Sequence, residues 1–179
     1  ETEAKPAHDT PLNERYTFED FVIGEGNRFA HAMAQAVAKS PGNTQYNPMV
    51  IYGAVGLGKT HLLHATGHAF LQAHPRSRIF YCSAERFMVE FVQALKANQM
   101  LEFKARLRSF DLLLVDDIQF IIGKASAQEE LLYTIDALLA EGKRLVFAAD
   151  RAPPALDGVE PRLLSRLSMG LVADIQAAD

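Results

Sequence analysis

The chain has 179 residues, of which 49% are hydrophobic and 22% are charged, so its composition is that of an ordinary globular protein. This composition excludes a disordered or fibrous chain. At about 150 residues per domain, the length fits one domain with a short extension. The 18 basic and 22 acidic side chains give a net charge of −4, which lacks the bulk basic character of a dedicated nucleic-acid-binding domain.

The single cysteine, Cys82, excludes an internal disulfide and is typical of a reducing compartment. We expect its thiol to be an inert core group. No apolar stretch approaches the roughly 18 residues that a membrane span needs. The polar first residues do not have the pattern of a secretory signal. The sequence therefore predicts a soluble, cytoplasmic protein without a membrane span, in which residues 1–15 form a polar leader or tether.

In chain order, the Ala-rich segment 29–38 predicts a first helix that positions 40–42 (Ser-Pro-Gly) end. Short apolar runs without polar alternation follow about 30 residues apart, which indicates parallel strands buried on both faces and joined by βαβ crossovers. The fold class predicted is therefore α/β, with a central parallel sheet between layers of helices. The four predicted strands are 49–52, 79–82, 112–115 and 145–148.

Two predicted helices, 84–97 and 100–108, occupy the interval before the third strand, which is more than a minimal crossover needs. Ser83 is placed to cap the first of them. A later helix carries an apolar stripe at 131–139. Its start is predicted at the capping-box pattern Ser126 to Glu129, and its end at Gly142.

Residues 53–60 read GAVGLGKT and match GxxxxGK[ST] between a predicted strand and a predicted helix at 59–73. Glycines let the backbone turn its N–H groups toward phosphate oxygens, and the helix N-terminus adds positive partial charge. Lys59 brings a full charge to the β- and γ-phosphates, and the Thr60 hydroxyl is suited to Mg²⁺. The predicted nucleotide contacts are Gly53, Ala54, Val55, Gly56, Leu57, Gly58, Lys59 and Thr60.

Two later strands end in acids at the sheet edge where open α/β sheets bind ligands. Asp116 fits the Mg²⁺-associated carboxylate beside a P-loop, and Asp117 is a candidate to orient or activate the attacking water. Asp150 ends the next predicted strand, where a polar side chain can sense the γ-phosphate. The sequence therefore predicts Thr60 and Asp116 as metal ligands, and Asp117 and Asp150 as catalytic residues.

Three other patterns leave alternatives open. Arg162 and Arg166 share a face of a predicted helix, which fits either a solvated basic face or an arginine finger in a neighbouring subunit. The histidines at 61, 64 and 68 share a face of the helix at 59–73, where polar packing is favoured over a metal site. The basic run at 96–108 fits a solvated helix face or contact with a phosphate backbone.

Five segments together resemble the AAA+ branch of P-loop ATPases and, more closely, the bacterial chromosomal replication initiators of the DnaA family. They are 16–24 (YTFEDFVIG), 27–32 (NRFAHA), 46–48 (YNP), 56–63 (GLGKTHLL) and 116–120 (DDIQF). The resemblance implies the AAA+ P-loop NTPase fold, with 16–179 as the base subdomain and about 84–108 as the family's two-helix insertion. Two positions depart from the family pattern: Ser126 stands where several members have a basic residue, and Pro161 where an acidic residue is usual.

The resemblance also implies a function. ATP, bound with Mg²⁺, would switch on head-to-tail assembly of the chain with itself at a replication origin and the binding of single-stranded DNA. Slow hydrolysis to ADP would turn the switch off. Arg166 falls on the family's arginine-finger position, which favours that role, with Arg162 supporting the subunit contact. Further implied contacts are Val22, Ile23, Asn27 and His61 to the nucleotide, and Val92 and Lys124 to single-stranded DNA.

The family continues into a helical lid and a domain that reads duplex DNA, so we expect origin duplex to be bound only through domains outside this chain. The main alternative is a related AAA+ helicase loader or a regulator of the initiator. A small-molecule kinase is less favoured, because the Asp116–Asp117 pair suits water activation better than phosphorylation of an alcohol. An ATP-binding scaffold with negligible turnover is a further alternative.

Overall fold

A five-stranded parallel sheet forms the centre of the domain. Its strands are β1 (Met49–Tyr52), β2 (Ile79–Ser83), β3 (Leu112–Asp116), β4 (Arg144–Ala149) and β5 (Leu171–Asp174). The computed structural model describes residues 11–39 and 46–177, and within them the strand order is β2–β3–β4–β1–β5. Every neighbouring pair is parallel. Strand β1, which leads into the glycine-rich loop, therefore lies between β4 and β5.

Helices cover both faces of the sheet. They are α1 (Arg28–Lys39), α2 (Lys59–Ala73), α3 (Ala84–Lys96), α4 (Met100–Arg108), α5 (Ala125–Ala140) and α6 (Pro161–Ser168). Helices α1 and α2 pack on one face, where Leu62 meets Ile51 of β1. The other four lie on the opposite face, where Phe87 joins a core with Phe147 of β4. The predicted three-layer αβα arrangement is confirmed, and no helix in the described residues is long and apolar enough to span a membrane.

The four predicted strands are confirmed to within one residue at each end. Strand β5, by contrast, was not predicted. It is four residues long and only Ala173 in it is buried, so it lacks the continuous apolar run that marks the other strands. Its position comes from pairing with β1, where Met49 lies opposite Leu171 and Tyr52 opposite Asp174.

Predictions for the helix ends meet different outcomes. Ser83 caps α3 as predicted, because its hydroxyl accepts the Arg86 N–H at 3.1 Å. The capping box at Ser126 is wrong: α5 begins at Ala125 with Lys124 at the N-cap, so the Ser126 side chain lies exposed inside the first turn. Gly142 ends α5 with a φ of 72°, as predicted. Positions 40–42, expected to end α1, lie outside the described residues.

Three glycines mark where the backbone at the two ends of β5 approaches other backbone, either next to β1 or just before α1. A Cβ built on Gly53 would lie 2.5 Å from the Ile175 carbonyl oxygen, and one on Gly26 would lie 2.4 Å from that of Gln176. A Cβ on Gly170 would lie 2.1 Å from the carbonyl oxygen of Pro48. These separations are far below van der Waals contact. We call the three positions, Gly26, Gly53 and Gly170, the glycine seam.

The histidine face of α2 binds the backbone of residues 13–17. The Asn13 N–H donates to His64 Nδ1 at 2.9 Å, and His68 Nε2 donates to the Asn13 carbonyl at 2.8 Å. His61 Nε2 donates to the Thr17 carbonyl at 2.7 Å. These contacts bear out polar packing for the three histidines. Leu12 packs over Gly67 of α2, next to these contacts.

Candidate nucleotide-binding site

A cleft of about 350 Å³ opens at the carboxyl ends of β1 and β3. Because β1 leads into the loop at 53–58 and β3 ends at Asp116, the parallel sheet brings these two segments to the same edge. The lining residues are Tyr16, Val55, Gly56, Gly58, Lys59, Thr60, His61, Asp116 and Asp117. The cleft therefore joins most of the predicted phosphate loop to the predicted acid pair.

The phosphate loop has the backbone shape that its glycines predict. Gly56 and Gly58 have φ values of 86° and 98°, in the left-handed region that strains other residues. Gly58 is also the N-cap of α2, and its carbonyl accepts the Leu62 N–H at 3.0 Å. The first turn of α2, whose N–H groups have no partner within the helix, lines the cleft, as an anion site requires.

The Lys59 ammonium is held against the loop that it follows. Its Nζ donates to the carbonyls of Gly53 and Ala54, the second at 2.8 Å. Burial lowers the pKa of Lys59, and the nearby carboxylates of Asp116 and Asp117 oppose that shift. The side chain is thus a positive charge that lines the cleft, and within the part of the chain that the structure describes its hydrogen-bond acceptors are these two carbonyl oxygens.

Asp116 is nearly inaccessible, with 2% of its surface exposed, and three donors surround its carboxylate. The Thr60 hydroxyl donates to Oδ2 at 2.6 Å and the Tyr81 hydroxyl donates to the same oxygen at 2.9 Å. The Asp117 N–H donates to Oδ1 at 3.0 Å. Burial, followed by the charge of Asp116, raises the pKa of Tyr81, so the phenol remains a donor.

The donor set at Thr60 and Asp116 fits Mg²⁺. The Thr60 hydroxyl directs its single proton at Asp116, which leaves the lone pairs of its oxygen for a cation. Hydroxyl and carboxylate oxygens are the hard ligands that Mg²⁺ prefers. The two predicted metal ligands are therefore adjacent, and the contact between them leaves oxygen lone pairs for a cation.

Asp117 and Asp150 lie at neighbouring strand ends, as predicted. Asp117 has a φ of 56°, an unusual value for a residue other than glycine, which turns its chain out of β3. Burial, and then the charge of Asp116, raises the pKa of Asp117. A two-point contact with Arg151, at 2.7 and 2.9 Å, lowers the pKa of Asp150.

Gln119 is a site residue that the sequence analysis missed. Its Oε1 accepts the Asp150 backbone N–H at 3.1 Å, and its Nε2 donates to Asp117 Oδ1 at 3.4 Å, so one amide links the Asp117 carboxylate to the backbone at Asp150. Tyr81 is a second missed residue. The sequence signal for Gln119 is its position two residues after the acid pair, and a tyrosine in an apolar strand gives no signal of its polar contact.

The residues predicted to contact the base lie beside α1. Val22 and Ile23 are exposed, at 85% and 50%, which leaves an apolar surface open to a ring. Asn27 fixes this segment, because its Oδ1 accepts the Gly24 N–H at 2.9 Å and its Nδ2 donates to the Val22 carbonyl at 3.0 Å. None of the three lines the phosphate cleft, whereas His61 does.

Arg166 does not reach the cleft of its own chain. Its Nε donates to Asp136 of α5 at 2.6 Å, and Arg162 contacts Glu160. Both arginines lie on α6, and neither is among the residues that line the cleft. A role in phosphate chemistry for Arg166 therefore requires the cleft of another subunit.

The residues predicted to contact DNA are on the surface. Val92 lies on α3 with 37% of its surface exposed, between exposed Val89 and Leu95. The Lys124 ammonium lies 5.5 Å from the centre of the Phe120 ring. Within the basic run, Arg106 and Lys104 face acids instead of solvent alone: Arg106 lies 3.3 Å from Glu90, and Lys104 lies 3.9 Å from Glu130.

A parallel sheet with this glycine loop, and with acids at the ends of β3 and β4, defines a P-loop nucleotide-binding domain. A sequence profile of the bacterial DnaA ATPase domain matches residues 12–174. The chain therefore belongs to the bacterial DnaA ATPase-domain family.

Relatives found by sequence and by structure support the same family. The chromosomal replication initiator protein DnaA of Zymomonas mobilis is 48% identical over 179 residues, which is 100% of this chain and 37% of the relative. The chain thus spans little more than a third of the curated relatives it matches. Domain III of DnaA from Thermotoga maritima superposes with a TM-score of 0.92 at 46% identity, covering 95% of this chain and 70% of that one.

A second solved structure carries ligands. A replication initiator DnaA bound to AMPPCP and single-stranded DNA superposes with a TM-score of 0.89 at 41% identity, covering 93% of this chain and 51% of that one. By contrast, the DnaC helicase loader, with a TM-score of 0.77, is only 15% identical, so that likeness concerns the fold alone. The helicase-loader alternative is therefore less well supported than the initiator.

Proposed function

We propose that this domain is the ATP-binding core of a replication initiator, in which bound ATP with Mg²⁺ switches on assembly. The observation that carries the proposal is the contact of Thr60 with Asp116 at the edge of a glycine-rich phosphate loop. A glycine-rich turn without a ligand has no need of a buried carboxylate and a hydroxyl at its rim. The likeness to a DnaA bound to AMPPCP supports ATP as the nucleotide.

In this proposal the backbone N–H groups of residues 54–60 bind the phosphates, whereas that of Gly53 donates to the Ala149 carbonyl at 3.2 Å. Lys59 exchanges its contacts with the Gly53 and Ala54 carbonyls for phosphate oxygens, which are stronger acceptors because they are charged. Thr60 and Asp116 hold Mg²⁺, which supplies charge neutralisation at the phosphates when bound. Val22 and Ile23 cover the adenine, and Asn27 holds their loop in place.

Hydrolysis in this proposal uses groups on both sides of the cleft. Asp117 orients a water and accepts its proton as the water oxygen bonds to the γ-phosphorus and the bond to the ADP oxygen breaks. The raised pKa of Asp117 favours proton acceptance. Asp150 senses the γ-phosphate, and Arg166 of a neighbouring subunit stabilises the charge of the transferred group. Turnover is slow because it depends on that neighbour.

Assembly and DNA binding complete the proposal. ATP-bound subunits associate head to tail, with Arg166 of one subunit at the cleft of the next, and a single DNA strand lies along the assembly near Val92 and Lys124. The likeness to a DnaA bound to single-stranded DNA supports this partner. Origin duplex is bound only by parts of such a protein outside this chain.

The test is nucleotide-dependent assembly on single-stranded DNA, measured by light scattering and sedimentation with ATP, ADP or no nucleotide. We expect larger assemblies with ATP than with ADP, and DNA binding that weakens steeply as salt rises, because contacts to phosphates release counterions. Equal assembly in the two nucleotides would contradict the switch. A kinase or an inert ATP-binding scaffold would also give equal results.

The phosphate-site assignment is tested with Lys59→Ala. We expect loss of measurable ATP binding in calorimetry, because the variant removes the charged group at the cleft. Lys39→Ala, which removes an exposed lysine at the end of α1, is the control and retains binding. Unchanged ATP affinity in Lys59→Ala would contradict the site.

The arginine-finger assignment is tested with Arg166→Ala. We expect ATP binding to be retained and ATP-dependent assembly to be lost. Asp136→Ala is the matched control, because it removes the intrachain partner of Arg166 and leaves the arginine in place. If Asp136→Ala produces the same assembly defect, the arginine acts within its own chain and the finger role is wrong.

A further inference from the structure

Tyr81 reaches the proposed metal site from a strand that otherwise contributes nothing to the cleft. On β2 its neighbours Phe80 and Cys82 point into the core on the α3 side, whereas Tyr81 points toward α2. In the register of the sheet Tyr81 lies opposite Leu114, two residues before Asp116. The phenol therefore extends diagonally along the sheet, and its hydroxyl meets Asp116 Oδ2 at 2.9 Å.

That oxygen is the one that also accepts the Thr60 hydroxyl, at 2.6 Å. The two donors hold the carboxylate from two different elements, since Thr60 belongs to α2 and Tyr81 to β2. The Asp117 N–H holds the other oxygen at 3.0 Å. Without Tyr81, the plane of the carboxylate depends on Thr60 and one backbone group, and Thr60 is itself a metal ligand in the proposed function.

The position of the phenol is set by its own surroundings. Its ring lies against the His64 imidazole, with ring centres 4.2 Å apart. His64 is held in turn by the Asn13 N–H at 2.9 Å. A continuous series of contacts therefore runs from the backbone before Thr17, through the histidine and the tyrosine, to Asp116. Each member is fixed by its neighbour, which is what a preorganised ligand needs from its supporting contacts.

We propose that Tyr81 is a positioning residue for Mg²⁺, and that its hydroxyl orients the Asp116 carboxylate toward the cation and the Thr60 oxygen. This inference rests on the proposed function. Tyr81 itself touches neither the nucleotide nor the cation. The competing explanation is that the ring fills space between β2 and α2, and that its hydroxyl bonds to Asp116 only because a buried hydroxyl needs an acceptor.

The two explanations differ in what Tyr81→Phe changes. The chain is titrated with Mg²⁺ in the presence of a fluorescent, non-hydrolysable ATP analogue, and the Mg²⁺ concentration at half-maximal tight binding is measured. We expect this midpoint to rise about tenfold, the usual effect of losing one hydrogen bond to a charged group. Binding of the analogue in excess chelator, without Mg²⁺, is expected to match wild type.

The matched control is Tyr133→Phe. The Tyr133 hydroxyl also donates to a carboxylate, Glu129 Oε1 at 2.8 Å, but it lies on the surface of α5 and away from the cleft. Its Mg²⁺ midpoint is expected to equal that of wild type. An unchanged midpoint in Tyr81→Phe overturns the proposal, as does an equal loss of binding with and without Mg²⁺, which indicates packing alone.

The result also separates this inference from the proposed function. Wild-type chain whose nucleotide binding does not depend on Mg²⁺ contradicts both. Wild-type chain with such dependence and a Tyr81→Phe variant that matches it contradicts only the role of Tyr81. If Tyr81→Phe melts below the assay temperature, 4-fluorophenylalanine at position 81 replaces it, because fluorine fills the space of the hydroxyl without donating a proton. The same rise in midpoint is then required.

Discussion

Single side chains in this domain are tuned by burial as much as by charge. Burial raises the pKa of Cys82 to about 12, which agrees with the inert core thiol that its place in an apolar strand predicts. Burial, with the nearby His68 and His61, lowers the pKa of His64 to about 4. Its Nδ1 accepts the Asn13 N–H, so the neutral ring is the form that the fold needs.

The lowered pKa of His64 has a predictable effect on stability. Between the ordinary value of 6.5 and about 4, the unfolded chain binds a proton at His64 that the folded chain does not. The free energy of unfolding therefore falls as pH drops through this window, by up to about 1.4 kcal/mol per pH unit from this group. For His64→Asn, which keeps an acceptor near the position of Nδ1, we expect the free energy of unfolding, measured in urea, to fall less steeply with decreasing pH than for wild type. Equal slopes against pH in the two proteins would contradict the lowered pKa of His64.

For single residues, the sequence identifies members of the site better than it predicts the contacts that they make. The spacing GxxxxGK[ST] identifies Lys59 and Thr60, because phosphate chemistry dictates both the residue types and their order. The bridge from Gln119 to Asp117 and Asp150 could not be predicted, since it depends on how the turn after β3 folds back toward β4. The series from Asn13 to Asp116 likewise joins four segments that are far apart in the sequence.

Helix ends are where element-level prediction succeeds and fails in this chain. Both Ser83 and Ser126 have the sequence context of an N-cap, but only Ser83 has the contact. We expect Ser83→Ala to lower the free energy of unfolding by about 1 kcal/mol, the usual loss for an N-cap. Ser126→Ala is the matched control and should be neutral or slightly stabilising, because alanine favours a helix interior. Chemical denaturation of the two variants measures this, and an equal loss would mean that Ser126 caps α5 after all.

The strands show a related limit. Strands buried on both faces are visible in sequence because each residue in them must be apolar, as in 112–115. Strand β5 is an edge strand with three partly exposed residues, so the same physical requirement does not apply to it. Its register comes from the backbone of β1, and a sequence pattern does not record that pairing.

At the scale of the whole molecule, the proposed ligand would contact elements that are far apart in the sequence and that the sheet brings together. Because the loop after β1, helix α2 and strand β3 all contribute to the cleft, bound nucleotide should stabilise the entire domain against unfolding. At a concentration of 100 times Kd, this linkage amounts to about 2.7 kcal/mol. We expect ATP with Mg²⁺ to raise the melting temperature of wild type in calorimetry and to leave that of Lys59→Ala unchanged. A rise in both proteins would place the nucleotide elsewhere.

The glycine seam sets where this domain can accept sequence change. Gly26, Gly53 and Gly170 each face a carbonyl oxygen that any side chain would strike, and backbone, unlike a flexible side chain, has no alternative rotamer with which to make room. A saturation library over the chain should therefore return glycine alone at these three codons, even under selection for folding without nucleotide. Gly24, whose Cβ would meet nothing within 4 Å, should tolerate most substitutions in the same library.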